Sequence, residues 1–282
     1  MQDLTDKIAF VTGGAGGIGL AIAREIISQG GRVMLADIDE AGLAVAKAEL
    51  GQASETVVCN VAKSASIEQA AQATIDAFGK VHIVVNNAGV GLGGLPGEVS
   101  KEDWQWVVDI NLMGVVWGVE AFLPLLKSHG EGGHIINTAS MAGHLANERM
   151  GPYCATKFAV VGYSESLRQA LEPDNIGVSI LCPGWVKTAI GTSGQRRPSN
   201  QAGNGSTGIA PDADGTEVVD LLANGMPPEV LAQWAIQCVK DNRQYIFSHA
   251  MMEPFIDLRY QSVKADYAAA VANETLTRNQ TS

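Results

Sequence analysis

The feature of this sequence that most constrains its fold is a short apolar run that ends in a glycine-rich turn. Residues 8–12 form the run, glycines follow at positions 13, 14, 16, 17 and 19, and residues 20–29 have helical spacing. Glycines permit a tight turn and let backbone N–H groups approach a pyrophosphate, while the helix N-terminus adds positive potential. The order strand, glycine turn, helix therefore predicts a dinucleotide site, although an ordinary tight turn would use the same residues.

Strand and helix patterns continue to alternate along the chain, and this order calls for a parallel sheet with right-handed crossovers. A hydrophobic content of 46% against 17% charged residues suits a sheet that is covered on both faces. We expect a single α/β domain over residues 1–282, a doubly wound parallel (Rossmann-type) sheet of about seven strands. The expected strands are residues 8–12, 32–36, 56–59, 81–85, 134–138, 176–181 and 245–247, and the expected helices include residues 40–50, 64–78 and 111–127.

The charge and the cysteines narrow the function classes. A net charge of −11 argues against binding to nucleic acid or to an anionic membrane. The longest apolar region, residues 114–126, is interrupted by Glu120 and Pro124 and is too short to span a bilayer. The acidic start lacks a signal-peptide pattern, which favours a cytoplasmic location. The four cysteines form no metal or redox spacing and are expected to be buried thiols; they are Cys59, Cys154, Cys182 and Cys238.

Asp37 follows the second predicted strand, eighteen residues beyond Gly19. A carboxylate at this distance accepts hydrogen bonds from the adenosine ribose and repels a 2′-phosphate, so NAD is favoured over NADP. Arg32 does not restore NADP binding, because it lies five strand residues earlier, about 16 Å away. The alternative interpretation of Asp37 is a helix N-cap.

Tyr153 and Lys157 are four residues apart and share one face of a predicted helix. An ammonium there favours phenolate over phenol, because a free tyrosine with a pKa of about 10 is a poor base near neutrality. Ser140 ends a predicted strand thirteen residues earlier and is either an oxyanion donor or a loop hydroxyl. Tyr260 and Lys264 have the same spacing, but no strand, glycine turn or serine precedes them, and we interpret that pair as a solvated helix face.

Six short motifs stand in one order within residues 5–188 and together resemble the classical short-chain dehydrogenase/reductases. A weaker similarity extends to residues 245–247, which look like the seventh strand of that family. The sequence departs from the family at Asn60, where an aspartate usually accepts from the adenine amino group, although an amide oxygen can also accept. The motifs are Thr12-Gly13 with Gly17 and Gly19, Asn86-Asn87-Ala88-Gly89, Asn111, Ser140, Tyr153-x-x-x-Lys157, and Pro183-Gly184 with Thr188.

The resemblance implies a role for each matching position. Tyr153 would be the general base or acid at the substrate oxygen, and Lys157 would lower its pKa and hold the nicotinamide ribose. Ser140 would orient the substrate oxygen, and Asn111 would hold a water that continues the proton relay. The implied cofactor is NAD, and no metal is required. The implied cofactor contacts, beside Tyr153 and Lys157, are Gly13, Gly17, Ile18, Gly19, Asp37, Asn60, Val61, Asn87, Gly89, Val186 and Thr188.

Residues beside the catalytic positions are expected to line an apolar pocket for a bulky aryl or alicyclic alcohol, although methionine and tryptophan are as often core residues. Within residues 189–226, a stretch rich in Gly, Ser, Asn and Gln at 191–215 predicts either a mobile substrate lid or a disordered insertion. Residues 250–282 are expected to cap a neighbouring subunit or to form an extra helix. The expected pocket residues are Met141, His144, Asn147, Met150, Trp185 and Ile190.

The long loop and the segment after it look similar to a branch of the family that includes bacterial Cα-dehydrogenases for lignin-derived β-aryl ethers. We therefore predict NAD-dependent interconversion of a secondary alcohol and a ketone, with a benzylic alcohol as substrate. A hydroxysteroid or cyclic-alcohol dehydrogenase stays open, and so does a non-catalytic NAD(H)-sensing protein, since fold does not dictate function. The resemblance also implies a homodimer or homotetramer built on the helices that begin near Asn111 and Pro152.

Overall fold

Seven parallel strands form one sheet in the computed structural model, which describes residues 1–196 and 218–278. The strands are β1 (Ile8–Thr12), β2 (Arg32–Asp37), β3 (Ser54–Val58), β4 (Ile83–Asn86), β5 (Gly133–Thr138), β6 (Ile176–Cys182) and β7 (Tyr245–Phe247). They lie side by side in the order β3-β2-β1-β4-β5-β6-β7, and every neighbouring pair is parallel. The doubly wound sheet predicted from the sequence is thereby confirmed.

Helices cover both faces of the sheet. They are α1 (Gly17–Ser28), α2 (Glu40–Leu50), α3 (Ser64–Phe78), α4 (Lys101–Val108), α5 (Gly114–Ser128), α6 (Gly151–Leu171), α7 (Val218–Ala223) and α8 (Pro228–Lys240). Residues of α1, α2 and α8 pack on one face, and residues of α3, α5 and α6 pack on the other. Alternation along β1 explains the two layers: Ala9 and Val11 face the first, while Phe10 faces the second and stacks on Phe122 with 4.2 Å between ring centroids.

The strand order reverses beside β1. The chain reaches one edge of the sheet with β3 and returns to the middle with β4, so that β1 has β2 on one side and β4 on the other. In open α/β sheets, ligands bind in the crevice at the carboxyl ends of the strands that flank such a reversal. The segments that follow β1, β4, β5 and β6 leave the sheet at this same edge.

The helix expected from residue 111 onward differs in the structure. Asp109–Met113 forms a π-helical turn that joins α4 to α5, and such turns are frequent at functional sites. By length and composition alone, the continuous stretch of residues 101–128 could cross a membrane. However, Val119, Phe122 and Leu126 pack in the layer that covers the sheet, so we assign the stretch to the core of this domain.

The predicted lid falls largely outside the described residues. Ala189–Arg196 forms a 3-10 helix, residues 197–217 are outside the description, and α7 begins at residue 218. The lid therefore stays a prediction. The described residues from 249 to 278 form a compact unit of their own, which contains α9 (Glu253–Val271) and α10 (Glu274–Arg278).

Candidate active site

The glycine turn after β1 lets a ligand approach the backbone closely. Gly17 has a φ of +54°, in the left-handed region that favours glycine. A Cβ on Gly19 would lie 2.2 Å from the carbonyl oxygen of Gly13, so a larger residue does not fit. Among the described residues, a Cβ on Gly16 would meet nothing within 4 Å and no side chain caps α1, and the first turn of α1 holds no acidic residue. The first N–H groups of α1 are therefore available to an anion.

The carboxylate of Asp37 lies beside this turn. Its two oxygens accept from the backbone N–H groups of Ala15 and Asp39, each at 3.1 Å. Asp39, and not Asp37, is the N-cap of α2, since its side chain accepts from the N–H of Gly42 at 2.9 Å. The Asp37 carboxylate thus lies at the end of β2 and does not cap α2. Ribose hydroxyls are bound at this position in dinucleotide folds.

Asn60 and Val61 follow β3, where the adenine end of a dinucleotide is expected. The side-chain oxygen of Asn60 accepts from the N–H of Ala62 at 3.1 Å and keeps one lone pair for a further donor. The side chain of Val61 is buried, and a Cβ on Gly114 would lie 3.0 Å from it. A ligand would therefore contact Val61 through its backbone.

Asn87 supports the glycine turn. Its Nδ2 donates to the carbonyl oxygen of Thr12 at 3.0 Å, and its backbone N–H donates to the Thr12 hydroxyl at 2.9 Å. The same hydroxyl accepts from the N–H of Ala88 at 3.0 Å. Thr12 therefore ties β1 to the segment after β4, a role that sequence reasoning missed. Gly89 lies closer to the catalytic positions, because a Cβ there would be 3.6 Å from the Nζ of Lys157.

Tyr153 and Lys157 lie on the buried face of α6, with exposed fractions of 6% and 2%. The Tyr153 hydroxyl lies beside the hydroxyl of Ser140, which follows β5. The Nζ of Lys157 donates to the carbonyl oxygen of Thr138 at 2.8 Å and lies 5.6 Å from the centroid of the Tyr153 ring. The structure therefore brings together the serine, tyrosine and lysine that the sequence placed on two separate elements.

Backbone groups orient Ser140. Its hydroxyl accepts from the N–H of Ala142 at 3.1 Å and donates to the carbonyl oxygen of Pro183 at 3.3 Å. That carbonyl also accepts from the N–H of Met141 at 2.8 Å. These bonds join the ends of β5 and β6, so the hydroxyl is held where a substrate oxygen would meet both Ser140 and Tyr153.

Burial controls the ionisation of both catalytic candidates. It raises the pKa of Tyr153 to about 12, with the hydrogen bond to Ser140 acting in the opposite direction. It lowers the pKa of Lys157 to about 8. The sequence led us to expect a depressed tyrosine pKa, but loss of solvation is the larger effect here and the phenol is protonated near neutrality. Tyr153 can therefore donate a proton, and it needs a further positive charge nearby to accept one.

Asn111 lies in the π-helical turn and is fully buried. Its side-chain oxygen accepts from the N–H of Val90 and its Nδ2 donates to the carbonyl oxygen of the same residue, both at 2.8 Å. The amide thus fixes the segment after β4. A relay water at Asn111 would then be held by the backbone, and its relay role stays a prediction.

A buried polar ladder holds α6 against the sheet. Asn86 Nδ2 donates to Asn137 Oδ1 at 2.9 Å, and Asn137 Nδ2 donates to the hydroxyl of Ser164 at 2.9 Å. Asn86 is the last residue of β4, and its side chain points into this ladder. The position of the buried face of α6 therefore depends on Asn137 and Ser164, which no motif selects, as well as on Asn86.

The residues expected to line the pocket lie in two different parts of the structure. Met150 and Ile190 form an apolar cluster with Tyr153 and Cys154, and Met141 is buried directly after Ser140. This cluster gives the catalytic phenol an apolar wall. Trp185 is half-buried, and its carbonyl oxygen accepts from the N–H of Met226 at 2.9 Å.

His144 packs against the rings of β7. Its Nε2 lies 3.4 Å from the sulfur of Cys182, and its ring is edge-on to the rings of Tyr245 and Phe247. The side chain thus contacts the ends of β6 and β7. Its predicted contact with substrate stays untested.

The segment after β6 crosses the glycine turn. The methyl group of Thr188 would be 3.2 Å from a Cβ on Gly17, and Val186 is buried and bridged to Met226. The hydroxyl of Ser193 accepts from the N–H of Gly91 at 2.9 Å, which joins this segment to the one after β4. Sequence reasoning missed Ser193, because its partner is 102 residues away in the chain.

These features fit a bound dinucleotide. The uncapped start of α1 can bind a diphosphate, Asp37 can bind the ribose, and Thr188 lies on the opposite side of the turn. A cavity of about 460 Å³ opens beside the turn, with Lys187 and Thr188 in its lining. A proton donor, a hydroxyl and a cation lie at the same carboxyl edge, an arrangement suited to proton transfer at a substrate oxygen.

Comparison with known proteins agrees with this geometry. The family model described as short chain dehydrogenase matches residues 7–198. The chain is 31% identical to a CLA biosynthesis dehydrogenase/reductase of Lactiplantibacillus plantarum over 279 residues, which cover 96% of this chain and 98% of the relative. It is 29% identical to a C alpha-dehydrogenase of a Sphingobium species over 268 residues, which cover 93% of this chain and 87% of the relative.

A solved structure shows the same fold. A short chain dehydrogenase/reductase from Burkholderia phymatum, crystallised in complex with NAD, superimposes with a TM-score of 0.89 at 34% sequence identity. The match covers 94% of this chain and 97% of the other.

Proposed function

The chain belongs to the short-chain dehydrogenase family, and on that premise we propose that it is an NAD-dependent dehydrogenase that interconverts a bulky secondary alcohol and its ketone. The observation that carries the proposal is the grouping of the half-buried Ser140 with the buried Tyr153 and Lys157 at the carboxyl edge of the sheet. A site of this kind handles the hydroxyl proton, while NAD, when bound, supplies the positive charge and the carbon that accepts the hydride.

Each residue of the site has a defined task in this proposal. The N–H groups at the start of α1 bind the diphosphate, and Asp37 binds the ribose and repels a 2′-phosphate. Ser140 and Tyr153 hydrogen-bond the substrate oxygen, and Tyr153 exchanges a proton with it. Lys157 keeps a positive charge behind the phenol and favours its deprotonated form during alcohol oxidation.

The apolar wall beside Tyr153 supports a bulky, largely apolar substrate. The similarity to a C alpha-dehydrogenase favours a benzylic alcohol of the lignin-derived aryl ether type. Hydroxysteroids and cyclic alcohols are the alternatives. All four cysteines are buried free thiols, as predicted, and this agrees with the cytoplasmic location that we include in the proposal.

The test is a turnover assay with purified protein, in which NADH or NADPH formation is followed with a panel of benzylic, steroid, cyclic and acyl-chain secondary alcohols. We expect turnover with NAD on the benzylic members. If turnover were confined to another class of alcohol, that class would replace the benzylic alcohols as the proposed substrate. NAD binding without turnover of any alcohol in the panel would favour the NAD(H)-sensing alternative.

A variant tests the cofactor choice separately. Asp37→Asn removes the charge and keeps one of the two acceptor oxygens, which can serve the N–H group of either Ala15 or Asp39. We expect the ratio of kcat/KM for NAD over NADP to fall at least about tenfold, which corresponds to about 1.4 kcal/mol. An unchanged ratio would mean that Asp37 does not select the cofactor.

A further inference from the structure

The helix α9 carries a stripe of apolar side chains at coiled-coil spacing. Ile256, Tyr260, Val263, Tyr267 and Ala270 follow one another at intervals of four, three, four and three residues. This is the alternation of d and a positions in a heptad repeat, which aligns them along one side of the helix. We call these five residues the α9 seam.

The seam is exposed to solvent. Tyr260, Val263 and Tyr267 have exposed fractions of 49%, 51% and 72%, and none of the 19 residues of α9 is buried. Most helical stability in proteins comes from packing an apolar face rather than from helix propensity. A helix with a heptad seam therefore calls for a surface that covers the seam.

The charged residues beside the α9 seam indicate which surface would cover it. Asp257 and Lys264 occupy the e positions, and Arg259 and Asp266 occupy the g positions. In an antiparallel pair of identical helices, e faces e and g faces g across the seam, whereas in a parallel pair g faces the e position of the next heptad. Only the antiparallel arrangement places opposite charges together on both flanks.

We propose that α9 is a self-association helix that pairs antiparallel with α9 of a second copy of this chain. Asp257 faces the partner's Lys264 and Arg259 faces the partner's Asp266, whereas a parallel pair would bring Arg259 against the partner's Lys264. The two-fold axis passes between Gln261 and Ser262, and the centres of the e pair and the g pair lie one residue before and one residue after that point.

The same axis matches large residues to smaller ones along the seam. Tyr260 lies opposite the partner's Val263, and Tyr267 lies opposite the partner's Ile256. Alternation of large and small side chains lets two helices interdigitate without voids. Phe255 and Leu258 lie outside the seam on the first turns of α9 and take no part in the pairing.

The first experiment measures the molar mass of the full chain in solution by light scattering after gel filtration. Val263→Asp places two carboxylates at the centre of the seam, and we expect the mass of the assembly to fall by a factor of two. Ser262→Asp is the matched control, because it adds the same charge one residue away, outside the seam, and should leave the mass unchanged. A monomeric native chain, or equal masses for the native chain and Val263→Asp, would overturn the proposal.

A charge exchange tests the orientation. In the antiparallel pair, Lys264→Glu opposes the partner's Asp257, and we expect the dissociation constant to rise at least about tenfold. The double variant Asp257→Lys with Lys264→Glu should restore it to near the native value. In a parallel pair the single variant would instead strengthen association, because it would face the partner's Arg259, and that result would overturn the antiparallel assignment.

Discussion

The two ends of the parallel sheet both collect ionisable side chains, and they differ in what those side chains have left to bind. Among the described residues, His82, His129 and Glu131 at the amino end are close enough together to resemble a metal site. At the carboxyl end, Tyr153 and Lys157 are buried beside an uncapped helix. The two ends are similar in the types of residue that they contain, and they differ in their hydrogen bonds.

At the amino end, the ring nitrogens already have partners. His82 Nδ1 accepts from the N–H of Ile8 at 3.1 Å, so its proton is on Nε2, which donates to Glu131 at 3.0 Å. His129 Nδ1 accepts from the N–H of Glu131 at 3.2 Å, and its Nε2 donates to the carbonyl oxygen of Val81 at 2.8 Å. Neither ring offers a lone pair to a cation, and Lys80 also bonds to Glu131.

At the carboxyl end, polar groups keep capacity for a ligand. Within residues 1–196 and 218–278, no side chain caps the first N–H groups of α1, and the Tyr153 hydroxyl has the half-buried Ser140 as its neighbour. A cluster of suitable residue types therefore marks a binding site only where the fold leaves hydrogen-bond donors or acceptors without a partner inside the protein. Four experiments test this difference, from the largest expected effect to the smallest.

Removing the proton donor at the carboxyl end should have the largest effect. Tyr153→Phe keeps the ring and removes the hydroxyl, and we expect turnover to fall about a thousandfold while NAD binding changes little. Tyr163→Phe is the matched control on the same helix, because burial also raises the pKa of Tyr163 to about 12 but it lies outside the site. Substantial turnover in Tyr153→Phe would refute the assignment.

Filling the glycine turn should have the next largest effect. In Gly19→Ala the new methyl group would lie 2.2 Å from the carbonyl oxygen of Gly13, so the turn must move. We expect a loss of roughly 2 kcal/mol in the free energy of unfolding, together with weaker NAD binding. Gly16→Ala, which meets nothing within 4 Å and has an extended φ of −173°, should retain its stability in denaturant titrations. Equal losses in both variants would contradict the close contact.

Acid should destabilise the protein through buried histidines of the amino half. Burial lowers the pKa of His134 to about 3 and also lowers that of His82, whereas an unfolded histidine has a pKa near 6.5. The unfolded chain therefore binds protons that the folded chain does not, and stability is complete above about pH 6.5 and falls as the pH drops towards 3.

Thermal unfolding between pH 7 and 5 measures this effect, and we expect His134 to contribute a slope of roughly 1 kcal/mol per pH unit. His134→Gln removes one titrating ring and keeps a donor for the hydroxyl of Ser179, which accepts from His134 at 2.8 Å and donates to the carbonyl oxygen of Arg243. We expect a shallower pH dependence in this variant. An unchanged slope would mean that other groups govern acid stability.

Zinc should have the smallest effect. Because the hydrogen bonds of His82 and His129 fix their protons, we expect added Zn²⁺ to leave the midpoint of thermal unfolding unchanged at neutral pH. A zinc-dependent rise that disappears in His129→Gln would show that the amino end can bind a metal after all.

Much of the fold could be predicted from the sequence. The apolar alternation placed β1, α2, α3 and β7 at their observed bounds, because strand and helix periodicity depend on local spacing. The π-helical turn at Asn111 was missed, since an extra residue in one turn leaves the apolar pattern nearly unchanged. Ser193 and the Asn86–Asn137–Ser164 ladder were missed because their partners are distant in sequence.

The sequence by itself determined the parallel sheet, the glycine turn, the acidic residue at the end of β2 and the shared helix face of Tyr153 and Lys157. Each of these depends on spacings within a few residues or on the regular order of strands and helices. Only the tertiary structure decided the ionisation of Tyr153, the packing of His144 against Tyr245 and Phe247, and the hydrogen bonds that occupy the ring nitrogens of His82 and His129. Solvation and hydrogen-bond partners come from segments that meet only when the chain is folded, so no local pattern encodes them.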